Sequence, residues 1–340
     1  MKAEDRFVDA LRALLPSGGS VRLGPGDDAA LVDRETGPLA ATTDLLVEGV
    51  DFLPGEDPER LGRRAAAVNL SDLAAMGAEP EFFLLSIGFD RGKGAEYPLA
   101  IARGAIARAG AFGARLIGGD LSEAPQTVVS VALWGKPAGA PLLRSGAAPG
   151  DAVFLSGHPG EAAAGLRLAQ RVAAFGAQGS RPTPRFPELA LEAERRLLAA
   201  YRDPVPRIAL GAALSREGLA TAAIDVSDGV GADAGRLARA SGVRLVLERN
   251  ALPFSPALLS FGAMEELDPL ELLLSGGDDY ELLFTASPAQ AERLEERASA
   301  FDVPIARVGR VQRGGGAFLL DGQSERDVAD LGHDHLERAS

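Results

Sequence analysis

Six short acidic stretches carry the chemistry legible in this 340-residue chain: Gly26-Asp27-Asp28, Thr42-Thr43-Asp44, Asn69-Leu70-Ser71-Asp72, Gly118-Gly119-Asp120, Asp225-Val226-Ser227-Asp228-Gly229 and Gly276-Gly277-Asp278-Asp279. Taken singly, an Asp after Gly is a turn former and an Asp before a helix is an N-cap. Taken together they form a set of hard oxygen donors interleaved with hydroxyls and glycines. Such a set suits Mg²⁺, which accepts one or two carboxylates and completes its octahedron with water and substrate phosphates. The glycines let backbone approach phosphate oxygens closely. The chemistry this predicts is phosphoryl transfer assisted by several Mg²⁺ ions, in which the protein positions groups and compensates charge. No side chain is then needed as an essential general base. A calcium-binding module is the rival reading, but the EF-hand spacing fails, because the position expected to hold a bidentate Glu twelve residues into a loop from Asp225 is Arg236.

Other chemistries are excluded by composition. There is no cysteine, which removes disulfides, zinc–thiolate sites and thiol nucleophiles. The three histidines, His158, His333 and His335, do not make a zinc-binding pattern. None of the three lysines lies in a phosphate-binding P-loop, and neither a hydrolase serine elbow nor the protein-kinase signatures occur. With 48 acidic against 35 basic residues the formal charge is −13, which repels phosphate backbones and argues against nucleic acid as a partner. The acidic N-terminus lacks the apolar core of a signal peptide, and the longest apolar stretch, near Phe82–Phe89, falls far short of the ~20 residues of a membrane span. A soluble cytoplasmic protein is expected, with no membrane partner.

The acidic stretches need elements to hold them. Apolar periodicity predicts a helix over Glu4–Leu15, a loop to Asp28, and strands over Ala29–Val32 and Leu39–Thr43, the second running straight into Asp44. A helix follows from the cap Asp57-Pro58 to Met76, ended by Gly77. Strand Phe82–Phe89, helix Ala95–Phe112 and strands Arg115–Ile117 and Thr127–Trp134 complete a first block. Asp72 lies within an Ala-rich helix, where a lone buried charge is costly and calls for a partner. The Pro- and Gly-rich stretch 137–150 marks the domain boundary, giving domains 1–137 and 138–340. The second block reads as strand Ala152–Ser156, helix Glu161–Ala174, a Pro/Arg-rich loop over 178–187, helices Glu188–Tyr201 and Pro206–Glu217, strand Ala222–Asp225, helix Gly231–Ser241, strand Arg244–Leu247, strand Tyr280–Ala286, helix Pro288–Phe301 and strands near Ile305–Val311 and Ala317–Leu320. Residues 327–340 read as a polar flap or frayed end. The fold class expected is α+β, with two α/β domains, each a mainly antiparallel sheet with helices on one side.

In this order the motifs resemble the thiamine-monophosphate kinase family of the aminoimidazole-ribonucleotide-synthetase-like superfamily. The run Asn69-Leu70-Ser71-Asp72-Leu73-Ala74-Ala75-Met76-Gly77-Ala78 is the most specific, and the resemblance covers essentially the whole chain. It implies ATP-dependent phosphorylation of thiamine monophosphate to thiamine diphosphate by direct in-line transfer. It also implies a homodimer in which the N-terminal sheets join. By motif, Asp28, Thr42, Thr43, Asp44, Asp72, Asp120, Asp225 and Asp228 would hold metal. Gly119, Asp120, Arg144 and Ser227 would contact ATP, and Asp51, Asp278 and His333 the substrate. Three positions depart from the family pattern: Asp51 stands where a histidine is usual, Ala102 where an aromatic often precedes Gly104, and Gly332-His333-Asp334-His335 replaces the usual C-terminal motif, leaving His333 as the residue to stack on the substrate ring. A carboxylate at position 51 would repel a substrate phosphate unless it turns away or a cation lies between. A related synthetase, a hydrogenase-maturation dehydratase (which typically relies on a C-terminal cysteine that this chain lacks) and a non-catalytic nucleotide-binding protein are the competing readings.

Overall fold

A computed structural model describes residues 21–23, 30–34, 37–177 and 189–332. They form two compact units: the described residues up to Leu142 together with Val205–Gly218, and Leu143–Pro204 together with Leu219 onward. The second half of the chain returns one helix, Val205–Gly218, to the first unit.

The first unit contains strands β1 (Val21–Leu23), β2 (Ala30–Arg34), β3 (Gly37–Val47), β4 (Ala78–Phe89), β5 (Arg115–Glu123) and β6 (Val128–Pro137). They pair in the order β1-β2-β3-β6-β4-β5, antiparallel except for β4 with β5. Helices α1 (Pro58–Ala75) and α2 (Glu96–Ala111) belong to the same unit. Side chains alternate along a strand, so Phe83, Leu85 and Ile87 of β4 share a buried face with Val129, Val131 and Leu133 of β6. On α1, Leu61, Ala65, Leu70 and Leu73 are also buried. Helix α1 starts as the sequence dictates. Asp57 accepts the Arg60 N–H at 2.9 Å, Pro58 occupies the first turn, and Gly77 follows the last turn with φ 65°.

Two glycines set the crossing of α1 and α2. A Cβ on Gly62 would lie 1.9 Å from the Ile101 carbonyl oxygen, and one on Gly104 would lie 1.8 Å from that of Glu59. The two backbones therefore meet with no side chain between them.

The second unit holds β7 (Ala152–Ser156), α3 (Glu161–Ala177), α4 (Leu191–Arg202), β8 (Ala222–Val226), α6 (Val230–Ser241), β9 (Arg244–Glu248), α7 (Pro256–Glu265), α8 (Pro269–Ser275), β10 (Glu281–Ala286), α9 (Pro288–Glu296), β11 (Ile305–Gln312), β12 (Gly316–Asp321) and β13 (Ser324–Asp327), with α5 (Ile208–Glu217) being the helix returned to the first unit. The sheet order is β13-β12-β9-β11-β7-β10-β8, antiparallel except for β12 with β9. Its core gathers Val153, Leu155, Ile224 and Val226 from the strands with Val230, Ala234, Leu237, Leu273 and Leu274 from α6 and α8. The two mainly antiparallel sheets with helices agree with the expected fold class.

Some boundaries differ from the sequence reading. Strand β3 runs on through Asp44 to Val47, and β5 runs through Gly118-Gly119-Asp120 to Glu123, because pairing with β6 and β4 outweighs the turn preference of Asp and Gly. Helices α7 and α8 occupy a stretch left without an element, and α9 stops at Glu296 rather than Phe301. Residues 328–332 are not frayed: Val328 is buried and donates its N–H to the Ala317 carbonyl at 2.9 Å.

Candidate active site

In the first unit, strand alternation decides which predicted ligands can act together. Thr42 and Asp44 point to the helix side of β3, where the Thr42 hydroxyl donates to Asp72 on α1. Thr43 points the other way and spends its hydroxyl on the Val131 carbonyl at 3.0 Å. Asp44 is half-buried, and its Oδ2 is fully enclosed with no hydrogen-bond partner. Burial raises the Asp44 carboxyl to about pKa 6; a hydrogen bond with Asp72 pulls it partly back, and negative Asp51 adds to the rise. Asp51 itself accepts the Val47 N–H at 2.8 Å and so closes the turn after β3.

Asp120 lies on the edge strand β5, opposite Ser86 of β4, while Gly119 lies opposite Leu85. This register puts Asp120 on the sheet face away from Asp44. Gly119 has a structural reason of its own, since a Cβ there would sit 1.8 Å from the Leu85 carbonyl oxygen. Among the described residues, no three His, Asp or Glu side chains converge at metal-ligand spacing. Asp44 and Asp72 with the Thr42 hydroxyl nevertheless fit Mg²⁺, which asks the protein for only one or two carboxylates, and the unpartnered Asp44 oxygen supplies a donor aimed at nothing else.

In the second unit, β8 ends at Val226 and delivers Asp225, Ser227 and Asp228 into one turn. Asp225 is buried opposite Leu282 of β10. The turn is held from α6: Asp233 accepts the N–H groups of Ser227 and Asp228, each at 3.1 Å. Arg236, one turn further along, donates to Asp233 at 2.6 Å and forms an ion pair with Asp228. Burial raises Asp233 to about pKa 7 against the pull of Arg236. Gly229, with φ 104°, closes the turn where a Cβ would strike the Leu274 carbonyl at 2.6 Å. The Ser227 carbonyl accepts the Asp278 N–H at 2.8 Å, so the Asp225–Gly229 and Gly276–Tyr280 turns are joined. The Arg144 carbonyl accepts the Ser241 hydroxyl at 2.8 Å, anchoring that segment to the end of α6.

Of the predicted residues, the structure thus gathers Thr42, Asp44 and Asp72, with Asp51 near, in the first unit, and Asp225, Ser227, Asp228 and Asp278 in the second. Asp28 and His333 lie outside the described residues. The sequence reading missed Asp233 and Arg236. An acid followed three residues later by an arginine just inside a helix was the available signal for both.

Two family profiles match the chain: AIR synthase related protein, N-terminal domain, over residues 26–136, and AIR synthase related protein, C-terminal domain, over residues 148–321. The thiamine-monophosphate kinase of Salmonella typhimurium is 36% identical over 322 residues, spanning 93% of this chain and 92% of that protein. The chain belongs to the thiamine-monophosphate kinase family. A solved structure described as AaThiL complexed with AMPPCP and TMP superposes with a TM-score of 0.83 at 31% identity, covering 98% of this chain and 96% of that one. The thiamine-monophosphate kinase from Stenotrophomonas maltophilia K279a gives a TM-score of 0.73 at 35% identity, covering 94% and 96%.

Proposed function

We propose that this family member transfers the γ-phosphoryl group of ATP to the phosphate of thiamine monophosphate, giving thiamine diphosphate and ADP. A phosphate oxygen of the acceptor forms the new bond to Pγ as the bond from Pγ to the β,γ-bridging oxygen breaks. The observation that carries this reading is the buried, unpartnered Asp44 oxygen beside Asp72 and Thr42, in a chain whose relatives bear this activity in name. In the same reading, Asp28, Asp225 and Asp228 complete this ligand set, while Thr43 and Asp120, which the sheet turns to the face away from Asp44, would hold metal on that face. Gly119, Asp120, Arg144 and Ser227 hold ATP, and Asp51, Asp278 and His333 face the acceptor. Bound Mg²⁺ would supply compensation for the charge on the transferring phosphates. The chain's own residues bind and orient: Asp233 and Arg236 fix Asp228, and the Ser227–Asp278 link keeps nucleotide-side and acceptor-side groups in register. No residue of either cluster is assigned as a general base, since a loose transition state asks little of one.

A homodimer belongs to this reading. The β-sheet of the first unit covers one face with helices, while Phe82, Leu84, Trp134 and Leu45 lie on the other, Leu45 being 56% exposed. The edge strand β5 exposes Ile117 at 60%, and Leu121 at 59% on the face it shares with Ile87. A second copy would cover this apolar face and the open edge. Among the described residues no helix is long and apolar enough to cross a membrane; a cytoplasmic setting follows from the demand for ATP. Incubation with ATP, Mg²⁺ and thiamine monophosphate, with chromatographic detection of thiamine diphosphate and ADP, tests the function. Equimolar appearance of both is expected, and ATP binding without turnover would sink it.

A further inference from the structure

The turn after β3 is clamped by a lysine from another part of the first unit. Lys93, one of three lysines in an arginine-rich chain, ends the short 3₁₀ turn Arg91–Lys93 between β4 and α2. Its ammonium donates to Glu48 Oε1 at 2.9 Å and Oε2 at 2.8 Å, and to the Thr127 hydroxyl at 2.7 Å. It also lies 4.6 Å from the centre of the Tyr97 ring, at the start of α2. Glu48 in turn accepts the Thr127 N–H at 2.9 Å and donates its own N–H to the Thr127 carbonyl, again at 2.9 Å. An ammonium offers three donors around a point charge, which serves acceptors lying in different directions better than the flat fork of an arginine. Burial opposes both charges, but the Lys93 bond holds the Glu48 carboxyl below its ordinary value and the Glu48 bond holds the Lys93 ammonium above its own.

What the clamp holds is a closed turn. The Val50 and Asp51 N–H groups donate to the Val47 carbonyl at 3.1 and 2.9 Å, and the Gly49 N–H donates to the carbonyl of buried Phe52 at 2.8 Å. Gly49, at φ 82°, takes a backbone conformation that a side chain would resist. The Asp51 carboxylate accepts the Val47 N–H and so moves with this turn. Lys93 grips Glu48, three residues before Asp51, and acts on Asp51 through the turn. We propose that Lys93 is a positioning residue whose clamp on Glu48 sets where the Val47–Phe52 turn carries Asp51, and thereby how tightly the acceptor binds. The assignment rests on the proposed function, in which Asp51 faces the acceptor, and deepens it. The residues read there as ATP contacts, Gly119, Arg144 and Ser227, lie on other elements.

A double-mutant cycle tests it, with K93M, E48Q and the double variant in the full chain, at a temperature where circular dichroism shows each protein folded. Hydrogen exchange followed by mass spectrometry on residues 47–52 reads the turn itself. Calorimetry with Mg²⁺ present and no ATP reads thiamine monophosphate binding, and steady-state assay reads KM for both substrates. K93M should speed exchange in the turn about tenfold, while the second half of α2 exchanges as in the parent. It should also weaken thiamine monophosphate binding about tenfold, as a misplaced binding group does, and leave KM for ATP unchanged. E48Q keeps an acceptor for the Thr127 N–H and should show a smaller change of the same kind. The double variant should lose no more than K93M, because the two residues act as one pair. Parental affinity in K93M, an equal rise in KM for ATP, or strictly additive losses would each overturn the proposal. Should K93M not fold, E48Q decides alone, and parental affinity in it overturns the proposal. If the parent phosphorylates thiamine monophosphate and K93M binds it normally, this assignment alone fails. If the parent binds it and K93M weakens that binding, but the parent never turns over, the kinase reading fails and this one stands.

Discussion

At the scale of single residues, the pair Asp44 and Asp72 is where the proposed metal site can be tested. A buried carboxylate oxygen without a donor costs on the order of 1–3 kcal/mol, and in the proposed reading a cation at Asp44 restores the balance on binding. Asp44→Asn should abolish measurable Mn²⁺ binding in a titration followed by electron paramagnetic resonance and lower kcat by about two orders of magnitude or more. The fold should survive, with a melting temperature in the absence of metal equal to or above that of the parent. Retained Mn²⁺ affinity would remove Asp44 from the ligand set.

Asp279 makes a different prediction. Burial raises its carboxyl well above the usual 3.8, while the N–H groups of Gly160 and Ala162 pull the other way. A folded-state pKa above the unfolded one means that the native protein binds the proton more tightly. The stability due to this group is therefore complete below pH 3.8 and is lost as pH rises from there toward the raised value. Urea unfolding at intervals between pH 4 and pH 8 should show a component of this sign in the parent that Asp279→Asn removes. An identical pH slope in both proteins would mean that Asp279 does not titrate differently on folding.

At the scale of elements, much was readable and the misses have causes. Asp57-Pro58 at the start of α1 and Gly77 at its end were legible because capping is local chemistry. Ser255-Pro256 and Asp268-Pro269 carry the same signature for α7 and α8, with Ser255 accepting the Leu258 N–H and Asp268 that of Leu270, yet the short run between them showed no clear periodicity. The strands β3 and β5 overran their predicted ends because a partner strand, invisible in the local sequence, decides how far pairing continues. The acids of the site were legible by type and order, but not which face of β3 each would take. Nor was the frame behind them, since Asp233 acquires its role from residues brought close only by the fold. The α1–α2 crossing offers a test at this scale. Gly104→Ala must push a methyl group into the Glu59 carbonyl and should cost about 1–3 kcal/mol, measured by chemical denaturation. Wild-type stability would mean that the helices can part at no expense.

At the scale of the whole molecule, the apolar outer face of the first sheet sets the expected assembly. Placing a charge there with Leu45→Lys should shift the chain from dimer to monomer in light scattering coupled to gel filtration, while leaving the helical signal in circular dichroism unchanged. A monomeric parent would overturn the dimer, and a variant that stays dimeric would place its interface elsewhere.

The helix α5 ties the order of synthesis to the order of folding. Gly211 lets it lie against α1, where a Cβ would come within 2.0 Å of the Ala74 carbonyl oxygen, and its Ser215 hydroxyl is bracketed by the Gly139 N–H at 2.9 Å and the Ala140 carbonyl at 2.8 Å. These partners all precede residue 143, whereas the helix itself leaves the ribosome only after a further stretch that belongs to the other unit. At about 5–20 residues per second the nascent first unit waits several seconds with one flank of α1 bare. A ribosome-bound chain stalled at Leu142 should therefore be cut by protease within this unit, and one stalled well beyond Gly218 should resist.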